Sequence, residues 1–258
     1  MNKKLTDYPK VDEVINILLS NMQDVLGSKL IGLYLDGSLV LGDFDPNISD
    51  IDLTAILEND LNDQEFDLLK MKHEELVNHF PEWDDRIEVC YISKEALNSV
   101  RTKLMPIVNI SPGEPFDRTK TQKEWLMNWY LIREKSITIF GPDPKEVIDP
   151  ISKDEFIQNV KAHTEAWGDW VKNMKSKYAQ AYAILTMCRA LYACKNGDQV
   201  SKINAAEWTI KELPEYKSLI QNALVWRENE KKNKEEDWEN YPNTEKFVNF
   251  VKNLVITS

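Results

Sequence analysis

The 258 residues are enough to bury a substantial core, and 42% hydrophobic with 29% charged residues is too apolar for a disordered chain. No apolar run approaches the ~20 residues that span a bilayer, and Met1 to Lys10 is polar, without the apolar centre of a signal peptide. The formal charge of −11 argues against a grip on long nucleic acid, which calls for a basic stripe against the phosphates; a cationic small molecule would be electrostatically welcome.

In chain order, residues 10–26 set Val11, Val14, Ile15, Leu18, Met22 and Val25 at helical spacing. Pro9 stands near the start and Gly27 at the stop, where a left-handed cap is wanted. Leu30–Leu35 and Ile51–Leu57 are strand-like apolar runs, separated by the turn-rich stretch Gly37 to Asp50 with Gly42, Pro46 and Asn47. Asn62 to Phe80 reads as a helix. Arg86 to Ile92 reads as a half-buried strand, its Ile87, Val89 and Tyr91 alternating with charged or small residues. Lys123 to Lys135 is an aromatic-rich helix, followed by Ile137 to Phe140 and the Gly141-Pro142 break.

From Ser152, which forms a capping-box pattern with Glu155, helices are predicted near 153–173, 178–195, 203–212, 214–230 and 244–255. The mixed charge run Arg227 to Glu239 reads as a solvated helix face. Strands early and helices late predict an α+β chain: a mixed sheet with helices over residues 1–150, then an all-helical bundle over 151–258. Cys90, Cys188 and Cys194 are an odd count without metal-ligand spacing, and read as reduced, buried thiols of a cytoplasmic protein.

The chemistry concentrates in Gly37-Ser38 and, after a turn-rich interval, Ser49-Asp50-Ile51-Asp52. Asp50 and Asp52 are two apart at the entry to a strand, so their carboxylates share a face. Two carboxylates there repel each other unless a cation lies between them, and hard oxygen donors suit magnesium with phosphate oxygens completing its shell. Gly37 permits close backbone approach to a phosphate, and Ser38 adds a hydroxyl and an N–H. Glu88 points away from the apolar face of its strand. Pairing of that strand beside Ile51–Leu57 would assemble three acids, with Glu88 as metal ligand or as base toward a hydroxyl. Arg189 is a lone cation in the apolar run Ala183 to Tyr192, where an unpaired charge is expensive, so it needs an anionic partner.

These residues resemble the signature of the polymerase-β-type nucleotidyltransferase superfamily. Phe140-Gly141-Pro142, Asp149-Pro150, Leu185-Thr186-Met187-Cys188-Arg189 and Ala205-Ala206-Glu207-Trp208 extend the resemblance to the aminoglycoside adenylyltransferases of the streptomycin/spectinomycin kind. The resemblance covers roughly residues 28 to 255 and implies ATP and magnesium, as two ions, in a cleft between two domains. It implies Asp50, Asp52 and Glu88 as metal ligands, Glu88 also as catalytic base, and Gly37, Ser38, Ser49, Arg189 and Lys202 as nucleotide-binding residues. The expected reaction moves AMP from ATP to a hydroxyl of an aminoglycoside or aminocyclitol such as spectinomycin, on a cytoplasmic monomer that engages neither membrane nor long nucleic acid. The same chemistry on a lincosamide-like drug, a metabolite or a protein stays open, as does a catalytically idle nucleotide-binding module.

Other candidates read as structure first. Trp125 with Trp129, and Trp167 with Trp170, are spaced for helix-face packing; His73, His79 and His163 form no metal-like grouping; Cys90 shares a face with Glu88 as packing. Asp36 is a turn acid or a support to the site, and Glu114, in the turn Ser111 to Pro115, could meet a substrate cation. One stretch departs from the resemblance. Where the streptomycin/spectinomycin enzymes carry acids that read the cationic drug, this chain has Met174 to Tyr182, with Lys175 and Lys177 and no acid. The tryptophan those enzymes place before the interdomain helix is not evident either; Gly113-Glu114-Pro115 stands there, leaving Glu114, Glu165 and Asp169 as possible compensation.

Overall fold

The structure is a computed structural model that describes residues 4–230 and 242–257. Residues 231–239 of the predicted charged helix face therefore lie outside the described residues. The chain divides into two compact units, Met1–Ile151 and Ser152–Ser258.

The first unit is built on helices α1 (Pro9–Leu26), α2 (Gly37–Leu41), α3 (Asp63–His79), α4 (Lys94–Ser99), α5 (Leu126–Lys135) and α6 (Pro144–Val147). They surround strands β1 (Leu30–Leu35), β2 (Ile51–Leu57), β3 (Ile87–Ser93), β4 (Met105–Ser111), β5 (Glu114–Thr121) and β6 (Ile137–Phe140). The strand order is β5-β4-β3-β2-β1-β6, and β2 and β3 run parallel while every other pair is antiparallel. α1 begins on Pro9 and stops at Gly27, whose φ of 52° with ψ of −126° is a glycine conformation but not the left-handed cap the sequence suggests. Asn62 and Glu65 close a reciprocal capping box on α3.

Side-chain alternation along the strands divides the core. Leu33, Leu35, Leu53, Ala55, Val89 and Tyr91 face α1 and α3, through Val14, Ile15, Leu18, Met22, Leu69 and Leu76. Tyr34, Ile56, Cys90 and Ile92 face the opposite layer with Leu97, Leu126, Trp129 and Ile132. β3 is thus covered on both faces rather than half-buried. Its alternation is broken because Cys90 and Ile92 pack on the face that Glu88 opens. Trp125 and Trp129 stack at 5.5 Å, with Trp129 inside this core.

The hairpin β4–β5 was not evident in the sequence. Pro112 and Gly113, the latter at φ 82°, join strands that pair Ser111 with Glu114, and β5 is an edge strand whose few inward residues carry little apolar signal. Phe116 is its anchor, packed near His73 at 5.3 Å.

His73 itself is 3% exposed, its Nε2 2.8 Å from the Tyr91 hydroxyl, and burial lowers its pKa from 6.5 to about 4. The folded protein therefore binds fewer protons here than the unfolded chain. The stability this site protects is intact above pH 6.5 and is lost as the pH falls toward 4, by about 3 kcal/mol in all. Urea midpoints from pH 7 to 4.5 should fall more steeply for the wild type than for His73→Gln. Parallel curves would rule the histidine out.

The second unit contains α7 (Lys153–Trp170), α8 (Lys177–Asn196), α9 (Lys202–Glu212), α10 (Lys217–Glu230) and α11 (Pro242–Thr257), with Ser152, Ser176 and Ser201 capping the first three. α8 is its axis. Ala183, Ile184, Leu185, Met187, Cys188 and Leu191 pack against Ala205 and Ala206, Ile220 and Ala223, and Phe247, Val248 and Val251. Small residues on α8 and α9 let the helix backbones approach closely. Cys90 and Cys188 are buried free thiols; Cys194 is only partly covered. No helix among the described residues is long and apolar enough to cross a membrane.

Candidate active site

The parallel pairing of β2 with β3 sets Asp52 directly opposite Glu88, and alternation puts both on the same sheet face. Asp50 lies just before β2. Ligand oxygens from Asp50, Asp52 and Glu88 all lie within 4.8 Å of one another, and each residue is partly exposed. Three hard oxygen donors at that separation fit a small divalent cation such as magnesium, and fit neither a soft metal nor a structural zinc site.

A fourth acid belongs to the same row. Asp36 continues β1 by donating its N–H to the Asp52 carbonyl at 3.0 Å. Its parity is that of Tyr34, so it falls on the acidic face, beside Asp52 and across from Glu88. Burial, then the charges of Glu88 and Asp50, push its carboxyl up to about 8. Without a cation in the cluster, burial and the neighbouring charges favour the protonated form of Asp36. The sequence leaves Asp36 as a turn acid or a support to the site; the signal that favours the second is its position one residue past an apolar strand.

Gly37 follows with φ 66°, and a Cβ at this position would lie 1.8 Å from Asp52 Oδ2. Glycine is therefore required twice, for the backbone conformation and for the space that the Asp52 carboxylate occupies. Ser38, the second residue of α2, has its hydroxyl oxygen buried and lacking a hydrogen-bond partner among the described residues. Ser49 is 3% exposed and its Oγ accepts the Asp45 N–H at 3.0 Å, which pins the loop before Asp50.

Arg86 secures that same loop, a role the sequence did not suggest. Its guanidinium donates to the carbonyls of Ser49 (2.9 Å) and Pro46 (2.9 Å), lies 4.5 Å over the Trp83 ring, and its own carbonyl accepts the Ile51 N–H. Burial lowers its pKa against the opposing charges of Asp50, Asp45 and Glu82. The cation thus spans both strands that carry the acids.

On the other side of β3, Val89 pairs with Ile110, so the next step of the register brings Ser111 beside Glu88. The hairpin tip is held there by the Gly113 N–H donating to Asp85, which itself has φ 56°. Glu114 accepts a hydrogen bond from Ser111 Oγ at 3.3 Å, at the same end of the sheet as the acids.

Arg189 and Lys202 belong to the second unit. Arg189 Nε is buried without a hydrogen-bond partner, and no acid among the described residues of that unit pairs with it. Lys202 is the first residue of α9 rather than a loop lysine, with Nζ 5.3 Å from the Tyr182 ring centroid. Trp167, 2% exposed, donates through Nε1 to His163 Nε2 at 3.0 Å, while Trp170 is 47% exposed. Asp169 pairs with Lys172 at 2.7 Å.

Comparison with known proteins matches two stretches of the chain to two family models. Residues 12–107 match the family model for a nucleotidyltransferase domain, and residues 146–254 match that for the aminoglycoside adenylyltransferase C-terminal domain. The chain is 23% identical to a spectinomycin 9-adenylyltransferase of Staphylococcus aureus over 93% of each protein. It is also 23% identical to an aminoglycoside (3'') (9) adenylyltransferase of Klebsiella pneumoniae, over 83% of this chain and 82% of that one. Its fold matches the crystal structure of spectinomycin adenyltransferase AAD(9) from Enterococcus faecialis, solved with ATP and spectinomycin. The TM-score is 0.72 at 20% identity, covering 94% of this chain and 98% of that one. With an acid-bearing nucleotidyltransferase unit followed by the family's own helical domain, the chain belongs to the aminoglycoside adenylyltransferase family.

Proposed function

We propose that this protein transfers AMP from ATP to a hydroxyl of a small aminocyclitol, with spectinomycin the first acceptor to test. The observation that carries the reading is the meeting of Asp50, Asp52 and Glu88 on one sheet face beside Gly37. The acceptor hydroxyl attacks the α-phosphate in line, pyrophosphate leaves, and Glu88 takes the hydroxyl proton. Asp50, Asp52 and Glu88 would hold magnesium, which would supply positive charge to offset the phosphates. Gly37 and Ser38 receive the nucleotide at the turn into α2, Ser49 keeps the loop before Asp50 in place, and Arg189 and Lys202 bring the helical unit's positive charge to the triphosphate. We read the enzyme as a cytoplasmic monomer.

Acceptor choice follows from charge. The segment Met174 to Tyr182 presents lysines where a guanidinium-bearing drug needs acids, and Asp169 is already paired with Lys172. Glu114, at the Glu88 end of the sheet, is an acid placed for an ammonium of a compact acceptor. Pyrophosphate release should be measured with ATP, magnesium and a panel of acceptors. Spectinomycin should reach at least ~10⁴ M⁻¹s⁻¹ in kcat/KM, an ordinary enzymatic value, and streptomycin should fall well below it. Efficient streptomycin transfer would overturn the charge argument. Absence of release with every aminoglycoside and aminocyclitol would overturn the acceptor class.

A further inference from the structure

Three helical threonines of this chain tie their hydroxyls to the backbone. Thr244, in the first turn of α11 with no helical carbonyl four residues before it, and Thr186 leave theirs buried without a partner among the described residues. Thr164, Thr209 and Thr257 each donate to the carbonyl four residues earlier, at 2.6, 2.8 and 2.7 Å. Thr186, in the middle of α8, does not. It is 6% exposed, and its Oγ1 is buried with no hydrogen-bond partner among the described residues. One turn later Arg189 Nε is buried and unpartnered in the same way. A hydroxyl and an N–H left dry are each costly to leave unmade.

Residues three apart share a helix face, and a long side chain leans back over the turn that precedes it. Helix geometry therefore favours a course of Arg189 over Thr186, with its two terminal nitrogens beyond. Tyr182, one turn before Thr186, carries Lys202 against its ring, and His163 lies near enough to Arg189 for that charge to lower its pKa, after burial. A phenol ring, an ammonium and an imidazole thus lie on or near this face.

We propose that Thr186 is a positioning residue for Arg189. When the guanidinium holds a phosphate through its terminal nitrogens, Nε–H donates to Thr186 Oγ1, which fixes the plane of the fork. The orphaned pair is satisfied in the nucleotide complex. This rests on the reading of Arg189 as a phosphate ligand, and it assigns a residue beyond those that hold the nucleotide directly.

The test uses the full chain. Titration calorimetry with magnesium-ATP should give a Kd raised about tenfold or more for Thr186→Val, the scale of a lost hydrogen bond to a charged group. Thr186→Ser should restore it, and the KM for acceptor should be unchanged in both. The urea midpoint of Thr186→Val should be equal to or above that of the wild type, because a buried unpaired oxygen has gone. In the Arg189→Ala background, Thr186→Val should cost nothing more. Wild-type ATP affinity in Thr186→Val together with a loss in Arg189→Ala would overturn the role of Thr186 and leave the phosphate ligand standing. Wild-type affinity in Arg189→Ala would instead overturn the phosphate reading itself. Equal losses in the Val and Ser variants would show that side-chain shape matters and the hydroxyl does not.

Discussion

Asp52→Asn and Asp50→Asn should each lower transfer by at least about 10³-fold, beyond the cost of losing a single oxyanion donor, while leaving the fold intact. The expectation follows from geometry. Oxygens of the two residues and of Glu88 lie within 4.8 Å of one another, and Gly37 gives Asp52 the space to keep its carboxylate there. Asparagine preserves the size of the side chain but removes one of the charges that draw a divalent cation to this face. It also relieves repulsion among acids that include Asp36, so without magnesium the urea midpoint should be unchanged or slightly raised. Loss of activity with unchanged stability separates a working charge from a structural one. Full turnover by either variant in saturating magnesium would remove these residues from the site.

How much of this was legible in the sequence depends on whether the signal was local. β2 was readable because Ile51, Leu53, Ala55, Ile56 and Leu57 make a mostly apolar stretch ended by polar residues, and Asp50-x-Asp52 announced its own face by spacing alone. Glu88 was readable as a residue pointing away from apolar neighbours, but that it stands opposite Asp52 depends on β2 and β3 being adjacent and parallel. No local pattern encodes that adjacency. Asp36 shows the same limit more sharply. It joins the row through its backbone hydrogen bond to Asp52, sixteen positions along the chain, and its shifted acidity is set by burial and then by Glu88 and Asp50. β5 was hidden for another reason. As an edge strand it leaves Glu114, Asp117, Arg118 and Lys120 exposed, and the pattern that sequence reading uses, alternating apolar residues, is almost erased. The role of Arg86 was hidden because its partners are carbonyls of Pro46 and Ser49, which carry no signature in side-chain chemistry.

Glu88→Gln should separate binding from chemistry. Glutamine keeps the length of the side chain and its place opposite Asp52, but it cannot take a proton from the acceptor hydroxyl. The variant should bind magnesium-ATP within a few-fold of wild type, on Asp50 and Asp52, and lose transfer by about 10²–10⁴-fold, the range for removal of a general base. A second readout is independent of turnover. Glu88 is the largest charge acting on Asp36, after burial, in raising its carboxyl to about 8. Neutralising Glu88 should therefore bring the Asp36 titration down, observable by carboxyl-carbon NMR on the protein without metal. A fall in that titration with ATP binding preserved would place Glu88 in the cluster as its proton acceptor. Calorimetry showing no nucleotide binding in Glu88→Gln would make the residue a necessary ligand, since the only change made is one negative charge on the face where three acids meet.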